Sequence, residues 1–101
     1  MTDLPIVCTL GPAAVKARRE DLLANLVRCV EERYETSNGY RFRFAAADEI
    51  LVNIARTIDV ERQCCRFLQF RLTIEPDGGP IWLDVTGPPG SREFVAALIE
   101  S

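Results

Sequence analysis

Two runs of alternating apolar residues constrain the fold of this chain more than any other feature. The first run comprises Leu68, Phe70, Leu72 and Ile74, and the second comprises Ile81, Leu83 and Val85. Pro76, Asp77, Gly78 and Gly79 lie between the runs and are typical turn residues. A four-residue loop aligns Ile74 with Ile81 and Leu72 with Leu83, and sets Arg71 opposite Asp84 on the other face. The pattern predicts a β hairpin with one apolar face.

An earlier segment predicts a second hairpin. Tyr40, Phe42 and Phe44 alternate with two arginines, and residues 30–36 provide a partner strand across Ser37-Asn38-Gly39. A three-residue loop would pair Tyr34 with Phe42 on one face and would place Gly39 at positive φ. We expect that register.

Three helices and one strand complete the predicted organisation. Apolar residues at helical spacing predict helices over residues 13–28 and about 49–64, and a short helix capped by Ser91. Asp48 is the expected N-cap of the second helix, and alternation over residues 6–10 predicts an N-terminal strand. The order β-α-ββ-α-ββ-α predicts a single α+β domain over residues 1–101, with helices on one face of a mainly antiparallel sheet.

Composition removes several classes of function. The 101 residues include no histidine, which excludes Ser-His-Asp and Cys-His catalysis and histidine-containing zinc sites. Twelve basic and fifteen acidic side chains give a net charge of −3, which argues against binding to nucleic acid or to an anionic membrane surface. The chain begins Met1-Thr2-Asp3 without the basic start of a signal peptide, so we expect a cytoplasmic protein with reduced thiols.

The strongest candidate site lies at the end of the second predicted helix. Cys64 and Cys65 follow Glu61 by three and four residues, so helical spacing brings both thiols near the carboxylate. Glu61 interrupts an apolar stripe and lies near a helix C-terminus, where the backbone dipole disfavours negative charge. Thiolates prefer soft cations such as Hg(II), Cu(I) and Zn(II). The cluster therefore predicts a soft-metal site of Glu61, Cys64 and Cys65, with Cys8 and Cys29 as further candidate ligands.

Two adjacent cysteines chelate one ion only under a geometric condition. Successive residues diverge by about 100° around a helix axis, so the helix must end at or before Cys64. Two other interpretations compete with the metal site. Arg62 and Arg66 could activate a reactive thiol. Alternatively, Cys65 fills the core while Glu61 pairs with Arg92 or Arg56.

The outer face of the predicted sheet carries a tryptophan among charged residues. Its members are Arg41, Arg43, Arg71, Thr73, Trp82, Asp84 and Thr86. An exposed tryptophan among arginines is typical of a contact surface, and the alternative is a solvated face of cross-strand charge pairs. We expect Trp82, with Arg71 and Arg43, to form a homodimer contact.

Several segments resemble a family of small, largely uncharacterised bacterial proteins. They are Cys8-Thr9-Leu10, Glu61-Arg62-Gln63-Cys64-Cys65-Arg66-Phe67, Asp77-Gly78-Gly79-Pro80-Ile81-Trp82-Leu83 and Thr86-Gly87-Pro88. Family members are sometimes encoded near heavy-metal and mercury resistance functions, so the resemblance implies a thiol role for Cys64 and Cys65. The family more often has proline after its cysteine pair, where this chain has Arg66. The resemblance implies no catalytic activity.

These residues support three functional hypotheses. The first is a non-enzymatic protein in which Cys64 and Cys65 hold a soft metal ion and Glu61 acts as ligand or proton acceptor. The second is a homodimeric interaction module with inert cysteines. The third is a small thiol enzyme, which requires a pocket beside Cys64 or Cys65.

Overall fold

The computed structural model describes residues 13–100, so the predicted strand over residues 6–10 lies outside the described part of the chain. The elements are α1 (Ala13–Arg28), β1 (Val30–Thr36), β2 (Gly39–Phe44), α2 (Ile50–Cys64), β3 (Gln69–Ile74), β4 (Ile81–Thr86) and α3 (Ser91–Glu100). This order confirms the predicted α+β fold across the described residues. None of the helices within residues 13–100 is long and apolar enough to cross a membrane.

The four strands form one antiparallel sheet in the order β1-β2-β4-β3. The two hairpins therefore meet through their second strands. The three helices share one face, because Leu26 of α1, Ile54 of α2 and Val95 of α3 pack in one apolar cluster with the inward residues of β2 and β4. The sheet and the helices form two layers around this core, as predicted.

The second hairpin has the predicted register. Ile74 pairs with Ile81, Leu72 with Leu83, and Arg71 with Asp84. The N–H of Glu75 donates to the carbonyl oxygen of Pro80, and this hydrogen bond closes the four-residue loop between Glu75 and Pro80. Burial differs between the two strands, because Ile81 and Leu83 are buried while Leu72 and Ile74 on the edge strand β3 are exposed. Alternation therefore predicts which face a side chain occupies but not whether that face is covered.

The predicted register of the first hairpin is wrong. Thr36 pairs with Gly39 across a two-residue loop, so Tyr34 lies opposite Arg41 on the outer face. Gly39 belongs to β2 and does not have the expected positive φ. A Cβ atom there would lie 1.8 Å from the carbonyl oxygen of Val85. The glycine permits close approach of β2 to β4, which strand alternation within one hairpin does not reveal.

Two predicted helix caps are also wrong. Glu49, at φ 69°, is the N-cap of α2 and makes no side-chain capping hydrogen bond, so Asp48 lies outside the helix start. Ser91 is the first residue of α3, and its Oγ is fully buried with no hydrogen-bond partner within residues 13–100. The helices themselves begin within about two residues of the predicted positions, which is the usual uncertainty of a helix boundary.

Candidate functional site

The end of α2 satisfies the geometric condition for two adjacent thiols. The helix ends at Cys64, and Cys65 leaves helical geometry with φ −116° and ψ 73°. Its N–H still donates to the carbonyl oxygen of Glu61 at 2.6 Å, which closes the last turn. Cys65 is therefore the first residue beyond α2, and its side chain lies four residues after Glu61 on the same helix face.

Glu61 forms a buried two-point ion pair with Arg19 of α1. The Arg19 Nε lies 2.6 Å from Oε2 of Glu61, and Arg19 Nη2 lies 3.1 Å from Oε1. Side-chain exposure is 9% for Arg19 and 5% for Glu61. A planar guanidinium that meets both oxygens of a carboxylate satisfies it better than a single-point contact. The pair explains how a carboxylate can lie in an apolar stripe.

The thiol of Cys65 joins this ion pair. Its Sγ lies 3.6 Å from Oε1 of Glu61 and 3.8 Å from Nη2 of Arg19. The thiol can donate to the carboxylate and accept from the guanidinium, so both partners suit its weak donor and acceptor capacity. Because Cys65 is fully buried, these contacts form in an environment of low effective dielectric constant. We call Arg19, Glu61 and Cys65 the buried triad.

Cys64 lies beside the triad in an apolar setting. It is buried and belongs to a second core cluster with Cys65 and Phe67, against which Val60, Leu68 and Phe94 pack. The rings of Phe67 and Phe94 meet edge to face with centroids 4.9 Å apart, which ties the end of α2 to α3. Both thiols are therefore shielded from bulk water.

The structure corrects the predicted partner of Glu61. The interpretation in which Cys65 fills the core pairs Glu61 with Arg92 or Arg56, but the carboxylate is bound by Arg19. Arg92 lies instead 3.7 Å from Glu35 and 3.6 Å from Glu93.

The arginine beside the thiol also differs from the prediction. Arg19 contacts Cys65, whereas Arg62 pairs with Asp59 at 2.8 Å on the surface. The guanidinium that contacts this sulfur therefore belongs to α1.

Sequence reasoning missed Arg19, although a signal was present. Arg19, Leu23 and Leu26 step by four and three, so Arg19 interrupts the apolar stripe of α1 as Glu61 interrupts that of α2. Two opposite charges that each interrupt a core-facing stripe are candidates for pairing with one another. That criterion makes Arg19 a candidate, together with Arg92, which has a comparable helical spacing to Val95 and Ile99.

The remaining cysteines are not gathered at this site in the described part of the chain. Cys29 is exposed and directly follows α1, nearly three helical turns beyond Arg19. Cys8, the other candidate ligand, lies outside residues 13–100. Within those residues, the structure has no group of three or more histidine, cysteine, aspartate or glutamate side chains arranged to hold a metal ion.

The contacts of Glu61 narrow its predicted role. Both of its oxygens accept hydrogen bonds from Arg19, and Oε1 also faces Cys65. A metal would have to displace the guanidinium to use this carboxylate as a ligand. The geometry favours Glu61 as the charge partner of Arg19 and the hydrogen-bond acceptor of Cys65 over Glu61 as a metal ligand.

The outer sheet face assembles the predicted residues around Trp82. The register places Arg43 and Thr73 beside Trp82. The guanidinium of Arg41 lies 4.4 Å from the centroid of the Trp82 ring, within the range of a cation–π contact. Tyr34, absent from the predicted set, lies 6.3 Å from the same ring. Trp82 therefore receives part of its cover from its own chain.

An exposed hydrogen-bonded group borders this face. Tyr34 Oη donates to Glu32, and Arg43 Nη1 donates to the same carboxylate at 2.9 Å. These hydrogen bonds, first from Tyr34 and then from Arg43, lower the pKa of Glu32 below its usual range. The bond to Glu32 raises the pKa of Tyr34, because the phenol must keep its proton to donate it.

Comparisons with protein-family models, with curated proteins and with solved structures found no match to this chain.

Proposed function

We propose that the protein binds a soft metal cation through Cys64 and Cys65, with Arg19 and Glu61 controlling the charge and protonation of Cys65. The observation that carries the proposal is the buried triad, in which the sulfur lies 3.6 Å from a carboxylate oxygen and 3.8 Å from a guanidinium nitrogen. The end of α2 at Cys64 adds to it, because the helix stops between the two cysteines, as binding of one ion by both requires.

The triad offers a path for the proton that metal binding must release. A thiol binds a soft cation as the thiolate, so each cysteine ligand loses one proton. Oε1 of Glu61, 3.6 Å from the sulfur, is placed to accept the proton of Cys65. Nη2 of Arg19, 3.8 Å from the sulfur, stabilises negative charge on it.

Charge balance supports binding by thiolates alone. Arg19 and Glu61 neutralise one another, so two thiolates and one divalent cation add no net charge to the interior. The site offers two soft sulfur donors, and Arg19 already engages the neighbouring carboxylate. Such a site discriminates against hard cations such as Mg²⁺ and Ca²⁺, which prefer oxygen ligands. We therefore expect Hg(II) to bind most strongly, and Zn(II) to bind weakly because it prefers four ligands.

Titration of the reduced protein with Hg(II), Cu(I) and Zn(II) tests this proposal. Thiolate-to-metal charge-transfer absorbance should grow to an end point of one cation per chain, measured at equilibrium because the thiols are buried. The Cys64→Ala and Cys65→Ala variants should each weaken binding, and the double variant should abolish it. Cys29→Ala is the matched control, since this thiol is exposed and away from the pair. Unchanged affinity in the double variant would refute the proposal.

A second candidate function, a homodimeric interaction module, is favoured by the outer sheet face. Trp82 is half-buried there, on the side of the sheet away from the helix-packed core, beside Arg43 and Glu32. Arginines and carboxylates alternate across this face, so a two-fold axis can bring unlike charges of two copies together. We propose that any self-association of the protein uses this face.

Sedimentation over a concentration series tests the second candidate. A dimer that uses this face should dissociate more readily in a Trp82→Ala variant, while Ile74→Ala, on the opposite face of the sheet, should not change the association. A Trp82→Ala protein that remains as dimeric as the parent contradicts the second candidate. That outcome leaves the metal proposal unaffected.

A further inference from the structure

We infer that the free edge of β3 is a docking site for an extended strand of another protein, one that alternates apolar residues with acidic residues. The added strand extends the sheet beyond β3, with its apolar side chains beside Leu72 and Ile74 and a carboxylate beside Arg71. Neither Cys64 nor Cys65 takes part in this contact, so the proposed metal site stands or falls separately.

The hydrogen bonds of the second hairpin determine which backbone groups of β3 face outward. Glu75 donates its N–H to the carbonyl oxygen of Pro80, and bonded and non-bonded residue pairs alternate along an antiparallel ladder. The N–H and C=O groups of Phe70, Leu72 and Ile74 therefore point away from β4. Within residues 13–100, β4 is the single neighbour of β3, so these groups have no strand partner in that range.

Two apolar side chains of the same edge are uncovered. Leu72 and Ile74 are 37% and 56% exposed, whereas their partners on β4, Leu83 and Ile81, are each 4% exposed. The helix layer therefore covers β4 but leaves the second half of β3 open. A partner strand would remove Leu72 and Ile74 from water by placing its own apolar side chains beside them, which favours binding.

The two edges of the described sheet differ in their protection against pairing with other strands. The strand β1 carries four charged residues and a register shift between Val30 and Glu32, and Arg33 shares the helix side of the sheet with Phe42. Charged residues, irregular pairing and inward-pointing charges are devices that prevent edge pairing in natural sheets. The strand β3 (Gln69–Ile74) has one charged residue, no lysine, no proline and a regular register. Of these two edges, β3 is therefore the one suited to accept a strand.

Arg71 favours an acidic partner. Its side chain is exposed on the outer face, and it forms no ion pair with the side chains of residues 13–100. Asp84, which lies opposite on β4, is instead 3.8 Å from Nε of Arg41. A carboxylate directly opposite Arg71 on the added strand would pair with this guanidinium. In a second copy whose β3 overlaps fully with this strand, Thr73 would occupy that place, so self-pairing leaves Arg71 without a carboxylate.

NMR titration with two synthetic peptides tests the docking site. One peptide has seven residues that alternate valine with glutamate, and the matched peptide has lysine in place of glutamate. In the free, isotopically labelled protein, the amides of Phe70, Leu72 and Ile74 should exchange rapidly with solvent. The glutamate peptide should protect them, and the lysine peptide should bind about tenfold more weakly because its charges repel Arg71.

Two outcomes of the titration contradict the assignment. Protection of these three amides before peptide is added would mean that the edge is already paired, and it overturns the proposal. Unchanged β3 resonances at millimolar glutamate peptide overturn it as well.

Substitutions separate strand pairing from nonspecific contact. Ile74→Lys places a charge on the apolar side of the edge and should weaken binding of the glutamate peptide about tenfold or more. Val52→Lys is the matched control, because it makes the same kind of change at an exposed position of α2, and it should leave binding unchanged. Arg71→Glu should reverse the preference between the two peptides. Equal affinity in the Ile74 and Val52 variants, or an unchanged preference in Arg71→Glu, overturns the proposal.

Sedimentation without peptide tests the remaining occupant, a second copy of this chain. The parent and Ile74→Lys should show the same association, because β3 is assigned to a different protein. A parental dimer that Ile74→Lys dissociates would assign the β3 edge to self-association and overturn the proposal of an acidic strand.

Discussion

Arg19 of α1 and Glu61 of α2 join two helices through a buried two-point ion pair across 42 residues of sequence. The thiol of Cys65 contacts both side chains. A charged pair in the interior contributes most when both members are present, because either one alone is a buried charge without compensation. The stability of the fold therefore depends on the same two residues that contact the thiol of Cys65.

Removal of one member of the pair should destabilise the protein strongly. We expect Arg19→Met to lower the free energy of unfolding by about 3–5 kcal/mol, because Glu61 is left buried and unpaired. Urea denaturation measures the change. The double variant Arg19→Met with Glu61→Met should recover much of the loss, since it removes both charges.

The exposed pair of Arg62 with Asp59 provides the control for this experiment. Arg62→Met should cost at most about 1 kcal/mol, because solvent screens an ion pair at the surface. Equal losses in the Arg19 and Arg62 variants would contradict a stabilising role for the buried pair.

The cysteines of the described residues should differ sharply in reactivity. Cys29 is exposed, whereas Cys64 and Cys65 are 3% and 0% exposed. A brief pulse of iodoacetamide on the native, reduced protein should label Cys29 first, because the reagent must reach the sulfur. Peptide mass mapping identifies which cysteines carry the label. The buried pair should react at the rate of Cys29 only after denaturation in urea, and rapid native labelling of Cys65 would be inconsistent with the buried triad.

Substitution of Gly39 should test the close approach of β2 to β4. An added Cβ would meet the Val85 carbonyl oxygen at 1.8 Å. Gly39→Ala should therefore cost about 3 kcal/mol or more, because it forces the strands apart. The comparison is Gly78, a position with open space around its Cβ and a φ of +68°. Gly78→Ala should cost about 1 kcal/mol from backbone strain alone.

Thermal unfolding followed by circular dichroism ranks these two variants. The midpoint of Gly39→Ala should lie well below that of Gly78→Ala. The reverse ranking would contradict the observed register of β2 against β4.

The pKa of Glu32 should depend on Tyr34. Its pKa lies below the usual range, first because Tyr34 donates to it and then because Arg43 does. Because the pKa of Glu32 is lower in the folded protein than in the unfolded chain, the ionised carboxylate stabilises the fold at pH values above the unfolded-state pKa. This stabilisation is lost as the pH falls through the folded-state pKa. Tyr34→Phe should therefore raise the pKa of Glu32, as measured by NMR titration of the side-chain carboxyl. Thr36→Val on the same face and strand is the control and should leave it unchanged.

Much of the fold is predictable because apolar periodicity reports local structure and facing. Spacing alone predicts the observed bounds of α1, and alternation sets Ile74 opposite Ile81. The prediction for the first hairpin is wrong because the position of Gly39 depends on its close approach to Val85. Val85 lies on a strand far along the chain, so the local sequence pattern does not predict this contact. Local rules also fail for Asp48, since Glu49 in the left-handed conformation begins α2 instead.

The candidate site is likewise predictable from the sequence only in part. Helical spacing brings Glu61 and Cys65 together correctly, because residues four apart share one helix face. The partner of Glu61 comes from a different helix, and solvent-facing arginines have the same local pattern as the buried one. Arg19 shares a stripe with Leu23 and Leu26, but Arg92 shares one with Val95 and Ile99, so only the tertiary structure selects Arg19 as the partner.

X-ray absorption of the protein loaded with one equivalent of Hg(II) determines whether Cys64 and Cys65 are the metal ligands. We expect a first coordination shell of two sulfur atoms, unchanged in Cys29→Ala and lost from the protein in the Cys64→Ala and Cys65→Ala double variant. A shell containing oxygen from Glu61, or a two-sulfur shell that persists in the double variant, would contradict the assignment of Cys64 and Cys65 as the ligands.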